Sequence, residues 1–420
     1  KSEISIPIHL HTHDTSSLQS ATYIKAIEAG VDVVDVALGG LSGLTSQPNF
    51  NALVEVLAHH ERAPQFDTEK LAEYSNYWEA VRGYYYPFES GLKSGTGAVY
   101  THEIPGGQYS NLKGQAIALG LEDKFNEVTK MYGEVNQLFG DIIKVTPSSK
   151  VVGDMAQYMI TNNLTVQEVL ERGETISFPQ SVINFFKGDL GQPVGGFPEK
   201  LQKIILKGEK PYTDRPNEHL APIDFEKEFD VFKNQFQSGI DRELQLTDFL
   251  SYKLYPKVFV DAFNKHEKYG DIMQLPTKNF FFGLEEGEEI MVDIEPGKRI
   301  LISLMQKSAA NEDGMVEVFF KVNGQMRSVL IKDETIAVEK IENVKASEGD
   351  EKQIGAPLQG LLSNVLVKPG EKVLENQPLF VIEAMKMETT VTSVNSGVIA
   401  KIQLEAGALV DANDLVVELA

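Results

Sequence analysis

The 420-residue chain contains no cysteine. Disulfides and thiolate metal sites are therefore excluded, and the composition fits a reducing compartment, taken here as the cytoplasm. Basic residues are in short supply as well: 39 Lys and Arg stand against 61 Asp and Glu, a formal charge of -22. That balance opposes phosphate backbones and anionic lipid, so neither nucleic acid nor membrane is an expected partner. No apolar run approaches the roughly 20 residues that span a bilayer, and no secretory leader opens the chain. An initiator methionine is also missing, and the apolar run Ile4 to Leu10 begins almost at once. This abrupt start leads us to expect the C-terminal part of a longer polypeptide, with room for roughly two to four domains.

What is present is organised around a lysine near the C-terminus, in Glu383-Ala384-Met385-Lys386-Met387-Glu388-Thr389. Before it, Gly360, Gly370, Val373 and Asn376 precede the apolar run Leu379 to Ile382; after it, Gly397, Gly407, Val410 and Asn413 precede Leu415 to Val417. Each position in the second set lies 37 residues after its partner in the first. Duplicated strand-turn units predict a small two-fold β-sandwich with Lys386 between its halves.

At the other end, Ile4 to His11 and Val31 to Leu38 read as strands, with a helix from Leu18 to Ala29 between them. Ser16 and Ser17 are placed to cap that helix and Gly30 to end it. The product is a parallel βαβ unit, followed by a helix from Asn51 to His60. Alternate residues share a strand face, so two of His9, His11 and His13 can point at one cation, and Asp14 adds a carboxylate nearby. Two ligands do not complete a site.

Aromatic, helical sequence begins at Tyr74, and amphipathic helices follow from Asp123 to Phe139 and from Met155 to Thr161. Between them, in Val145-Thr146-Pro147-Ser148-Ser149-Lys150, Thr146 reads as an N-cap and Pro147 as a first helical residue. Lys207 to Asp224, charged and proline-rich, reads as a connector, and helical periodicity returns from Phe225 to Asp271. From Ile290 the period is two, and Asn323-Gly324 marks a hairpin. Val338 to Gln353 is acidic and poor in apolar residues, as a tether would be.

Several of these motifs resemble one family. Ala384-Met385-Lys386-Met387 is similar to the attachment site of biotinyl carrier domains, where a biotin protein ligase joins biotin to the lysine. His11-Thr12-His13-Asp14 resembles the metal-binding strand of biotin-dependent carboxyltransferases, most of which have glycine where Ser17 stands. His102-Glu103-Ile104-Pro105-Gly106-Gly107-Gln108, the stretch around Thr146, and Phe185 to Glu199 are similar to the same family, and to its pyruvate carboxylase branch above all.

The resemblance implies a multidomain α/β plus all-β architecture. Residues 1–65 would be the final two β/α units of a (β/α)8 TIM-type barrel, which needs about 250 residues in full. Residues 66–206 would form its helical funnel, and 207–345 a linker with a small mixed α/β domain serving tetramerisation and allosteric ligands. Residues 346–420 would be the biotinyl/lipoyl-type β-sandwich. It further implies His11 and His13 as ligands of Mn2+ or Zn2+, with the remaining ligands on earlier strands. Thr146 would be the proton relay, and Ser149 and Lys150 would hold the biotin ring that is covalently borne on Lys386. The implied reaction converts pyruvate to oxaloacetate, with ATP, Mg2+ and bicarbonate used by an upstream domain. A homotetramer responding to acetyl-CoA or cyclic di-AMP is the expected assembly. The alternatives are a biotin-dependent oxaloacetate decarboxylase α subunit and a non-catalytic biotin carrier scaffold. Lys386→Arg is expected to abolish avidin capture of the protein from biotin-supplied cells, and undiminished capture would refute the attachment site.

Overall fold

The computed structural model describes residues 3–240, 242–311, 313–333, 343–347, 349–384 and 387–420; Lys386 and Met385 lie outside them. The chain divides into two compact units, Lys1–His219 with Glu342–Ala420, and Leu220–Ile341.

Parallel strands β1 (His9–Leu10) and β2 (Val33–Val34) open the first unit, joined by α1 (Gln19–Glu28). Both strands are shorter than their apolar runs. Parallel strands ordinarily belong to larger, buried sheets, and among the described residues these two pair only with each other. The result is the open end of a barrel, with Tyr23, Ile27, Leu53 and Leu57 as its local core. Ser16 and Ser17 do not cap α1, contrary to expectation: the N-cap is Leu18, without a side-chain bond. Asp14 Oδ1 instead accepts from the Gln19 amide at 3.0 Å. Ser17 sits at φ 62°, the left-handed region, which gives a physical reason for glycine at this turn in the resembling family.

Helix α2 (Phe50–Val56) starts at Asn49, whose side chain caps Ala52. The funnel then comprises α3 (Thr68–Arg82), α4 (Val99–His102), α5 (Gly106–Ala118), α6 (Phe125–Leu138), α7 (Ser148–Thr161), α8 (Val166–Arg172), α9 (Gln180–Lys187) and α10 (Glu199–Leu206). A Thr165–Glu168 capping box opens α8, worth about 1 kcal/mol. α7 begins seven residues before the expected Met155. Its residues Val151 to Met159 are buried throughout, and a helix buried all round shows no amphipathic period.

The second unit holds α11 (Phe225–Phe236), α12 (Leu246–Leu254), α13 (Pro256–Tyr269) and α14 (Thr277–Phe282), then an antiparallel sheet in the order β3 (Glu289–Glu295), β4 (Lys298–Lys307), β5 (Met315–Val322), β6 (Gln325–Lys332). Phe232, Phe236, Leu244 and Phe249 form the helical core. Val322 pairs with Gln325, and Asn323 and Gly324 between them have φ 46° and 84°, as a type I′ hairpin requires.

The C-terminal sandwich consists of β7 (Gln353–Gly355), β8 (Gly360–Val365), β9 (Lys372–Val373), β10 (Pro378–Ala384), β11 (Met387–Thr392), β12 (Gly397–Ile402), β13 (Leu409–Val410) and β14 (Leu415–Leu419). The duplication read from the sequence is visible in the backbone. β8, β9 and β10 correspond to β12, β13 and β14. The short strands change places: β13 joins β8 in the sheet β11-β10-β8-β13, and β9 joins β12 in β7-β14-β12-β9. Gly370 and Gly407 have φ 82° and 96°, and Asn376 and Asn413 have φ 64° and 67°, so the repeated residues make the same left-handed turns. Residues 343–347, expected within the tether, are bound into this sandwich: Ala346 donates to Asn413 O, and Lys345 pairs with Asp414 at 2.7 Å. The expected tether positions 338–342 and 348 lie outside the described residues.

Candidate active site

His11 and His13 follow the end of β1 in extended chain and not in the strand itself, yet their rings converge. His11 Nδ1 lies 2.7 Å from Asp35 Oδ2, and His13 Nδ1 lies 2.5 Å from the Thr45 carbonyl oxygen. Carboxylate and carbonyl oxygens only accept, so each neutral ring carries its proton on Nδ1. Both Nε2 atoms are then bare, and they face each other at 3.4 Å with the rings edge-on at 85°. Two lone pairs so close repel unless a cation lies between them, and imidazoles oriented through Nδ1 by an oxygen are how proteins present a metal site. Among the described residues no group of three or more His, Asp or Glu is placed to hold a metal. The described residues therefore bring two imidazole nitrogens together and place no third candidate beside them. His9, outside the pair, bonds the other oxygen of Asp35 at 2.7 Å, and these two imidazole bonds hold the Asp35 carboxyl below its usual range.

The histidines are fixed from behind by α5. A methyl group on Gly106 would sit 2.5 Å from His13 Cβ and 2.6 Å from Thr15 Oγ1; only glycine permits this approach. Two residues on, the Gln108 amide lies against Gly153 of α7, where an added Cβ would meet Gln108 Nε2 at 2.7 Å. Glu103 reaches from the start of this segment to Lys144, 2.8 Å away and just before Thr146. The histidine end of the barrel and the start of α7 are thus joined through α5.

Thr146 is solvent-exposed. It does not cap α7, whose N-cap is Pro147; Ser148 Oγ instead donates to Ile143 O and Val145 O at 2.7 Å. Helix capping therefore does not account for Thr146. Val145 and Ser148, on either side, line an open hollow of about 260 Å3 together with Phe185 and residues 190–194. Ser149 is buried in the first turn, where its carbonyl accepts from Tyr132 at 3.3 Å. Lys150 is partly exposed and pairs with the fully buried Asp154 at 2.5 Å.

The sandwich is seated on the funnel. One contiguous apolar cluster runs from Phe178, Val182 and Phe186 into Leu362, Phe380 and Ile382. Thr389 of β11 forms an antiparallel bridge with Pro179, and the Thr392 amide donates to Ser177 Oγ at 3.3 Å. Lys207, whose pKa burial pushes down, donates to Asn376 Oδ1 at 3.2 Å. β10 and β11 are paired as far as Ala384 and Met387, the described residues that bracket Lys386. The strand leaving the lysine is the one that touches the funnel.

Sequence reading did not find Asp35, Asp154 or Ser181. Asp35 carried a signal, as a carboxylate in the β-branched run Val31 to Leu38. Asp154 stands four residues after Lys150, a spacing too common to single out.

Residues 99–303 match the conserved carboxylase domain, and residues 352–419 match the biotin-requiring enzyme family. Pyruvate carboxylase of Bacillus subtilis (strain 168) is 48% identical over 419 residues, covering 100% of this chain and 36% of the relative. The mitochondrial pyruvate carboxylase of Homo sapiens is 41% identical over 416 residues, covering 99% and 35%. The structure of the complete multifunctional pyruvate carboxylase from Rhizobium etli superposes with a TM-score of 0.71 at 45% identity, covering 99% of this chain and 38% of that one. The carboxyl transferase domain of the Rhizobium etli enzyme with pyruvate and biocytin gives a TM-score of 0.72 at 49% identity, covering 79% and 56%. The chain belongs to the pyruvate carboxylase family and spans about a third of the length of these relatives.

Asp35→Ala removes the oxygen that orients His11. Loss of such a partner costs about 10- to 100-fold in metal affinity, and equilibrium dialysis against Mn2+ or Zn2+ with the full-length protein is expected to show a loss of that size. Unchanged affinity would contradict the metal reading of the histidine pair.

Proposed function

We propose that the chain performs carboxyl transfer to pyruvate, giving oxaloacetate, and carries the biotin that delivers the carboxyl group. The observation that carries this reading is the seating of β11, the strand following Lys386, on the funnel segment Ser177 to Pro179. It brings the carrier onto the body that holds Thr146, Ser149 and Lys150. Residues 1–65, 66–206, 207–345 and 346–420 are then the barrel end, funnel, linker with tetramerisation and allosteric region, and carrier.

A divalent ion held by His11 and His13, with ligands from preceding chain, would supply Lewis-acid polarisation of the substrate carbonyl. The chain's own residues do the rest. Thr146, exposed and owing nothing to helix capping, accepts a proton from the methyl carbon of pyruvate as it releases its own hydroxyl proton toward the biotin ring. A hydroxyl is too weak a base to act alone at neutral pH, but a concerted relay avoids a free alkoxide. The Lys150 ammonium, near the start of α7, offers a donor to the ring carbonyl. Ser149 is buried in the present arrangement, so its contribution is to the shape of the first turn unless that turn opens. Biotin is loaded by an upstream domain with ATP, Mg2+ and bicarbonate, after a biotin protein ligase has attached it. The remaining family features, a cytoplasmic homotetramer under acetyl-CoA or cyclic di-AMP control, belong to the same proposal.

Positioned proton transfer contributes about 10²–10⁴-fold. Thr146→Ala in the full-length enzyme is expected to lower pyruvate carboxylation by that factor while leaving bicarbonate-dependent ATP cleavage intact. Normal oxaloacetate formation in the variant would sink the relay.

A further inference from the structure

Asp154 takes no part in the proposed carboxyl transfer, yet its placement is costly. It is 0% exposed, and burial pushes its carboxyl above the usual range against the opposing pull of Lys150 and Ser181. Oδ2 accepts from Lys150 Nζ at 2.5 Å and from Ser181 Oγ at 2.7 Å. Oδ1 is buried and, among the described residues, has no hydrogen-bond partner. An unpaired buried oxygen loses the hydrogen bonds water would give it and gains none in return.

The pair does not serve the helix. Lys150 lies in the first turn of α7, where the helix dipole opposes a cation. A lysine four residues before an aspartate is also the weaker order for a helical ion pair. Local rules broken without local gain mark functional positions.

The two partners of Asp154 point to what is gained. Lys150 stands four residues after Thr146. Ser181 is the second residue of α9, two positions after Pro179, which bridges to Thr389 of the carrier. One carboxylate oxygen therefore grips both the ammonium beside the reacting position and the helix start on which the carrier sits.

We propose that Asp154 is a positioning residue that fixes the Lys150 ammonium relative to the seated carrier, through its joint grip on Lys150 and Ser181. This rests on the reading of Lys150 as a contact of the carrier-borne ring. Asp154 touches neither substrate nor ring; it acts through Lys150.

The test is a double-mutant cycle in the full-length enzyme, with Asp154→Asn, Lys150→Gln and the pair of substitutions together. Asp154→Asn keeps the shape and removes the charge. A misplaced group of this kind costs on the order of ten- to a hundredfold, and we expect kcat for carboxylation to fall by that much with the pyruvate KM unchanged. The doubly substituted enzyme is expected to be no slower than Lys150→Gln alone, because residues that act as a unit are not additive. A purely structural role would instead lower the unfolding temperature and multiply with the Lys150 loss. Multiplying losses, or a silent Asp154→Asn beside an impaired Lys150→Gln, would overturn this inference and leave the carboxyl-transfer reading standing. A Lys150→Gln enzyme with normal kcat would overturn the Lys150 assignment and this inference with it. Should Asp154→Asn fail to fold, Ser181→Ala enters the same cycle, with the same non-additivity expected and the same result decisive against it.

Discussion

The contact of β11 with the segment Ser177 to Pro179 is the constraint on which the rest depends. It is small in hydrogen bonds: one bridge between Pro179 and Thr389, and one bond from the Thr392 amide to Ser177. It is larger in apolar area, since Phe178 and Val182 of the funnel share a cluster with Phe380 and Ile382 of the sandwich. Burial of that kind contributes about 1.5–3 kcal/mol for each large side chain. Several such residues make a firm seat. Lys207 adds a polar contact to Asn376 at the carrier's left-handed turn. The bond is bought by desolvating an ammonium, which keeps its net worth low. Apolar burial is thus the main term that holds the sandwich in register on the funnel.

Behind that seat the funnel transmits position. α9 receives the carrier, Asp154 of α7 binds Ser181 of α9, and Gly153 of α7 receives the Gln108 amide of α5. α5 in turn backs onto His13 through Gly106. Each step is a close approach with little slack, so the carrier, Lys150 and the histidine pair are parts of one packed body. At the barrel end the Nε2 atoms of His11 and His13 face each other at 3.4 Å.

Much of this was legible in the residues, for identifiable reasons. The 37-residue repeat survived because glycine and asparagine are needed at left-handed turns, and both copies use them. The hairpin at Asn323-Gly324 was readable on the same grounds. Strand lengths at the barrel end were overestimated because apolar runs report the burial of a full sheet, and among the described residues β1 and β2 pair only with each other. The helical pattern of α7 was read only from Met155 because a helix buried on all sides has no period to detect, while the Thr146-Pro147 opening came within one residue of its start. Thr146 read as a cap because Thr-Pro is a common helix opening; one residue of offset moves the cap to Pro147 and releases the threonine. Asp35 lies 24 residues from His11 and Asp154 lies 27 from Ser181, so these pairings are set by the fold, although Asp35 stood out as a carboxylate in a β-branched run.

The seat itself is open to direct measurement, because the chain has no cysteine of its own. Bridged residues in antiparallel pairs have Cα atoms about 4.5–5.5 Å apart, within the range a disulfide spans. With Pro179→Cys and Thr389→Cys introduced together, the account predicts rapid oxidation to an intramolecular disulfide, read as loss of both thiols without a change in oligomeric state. Two thiols that stay reduced, or that join only separate chains, would contradict the seating of the carrier on its own funnel.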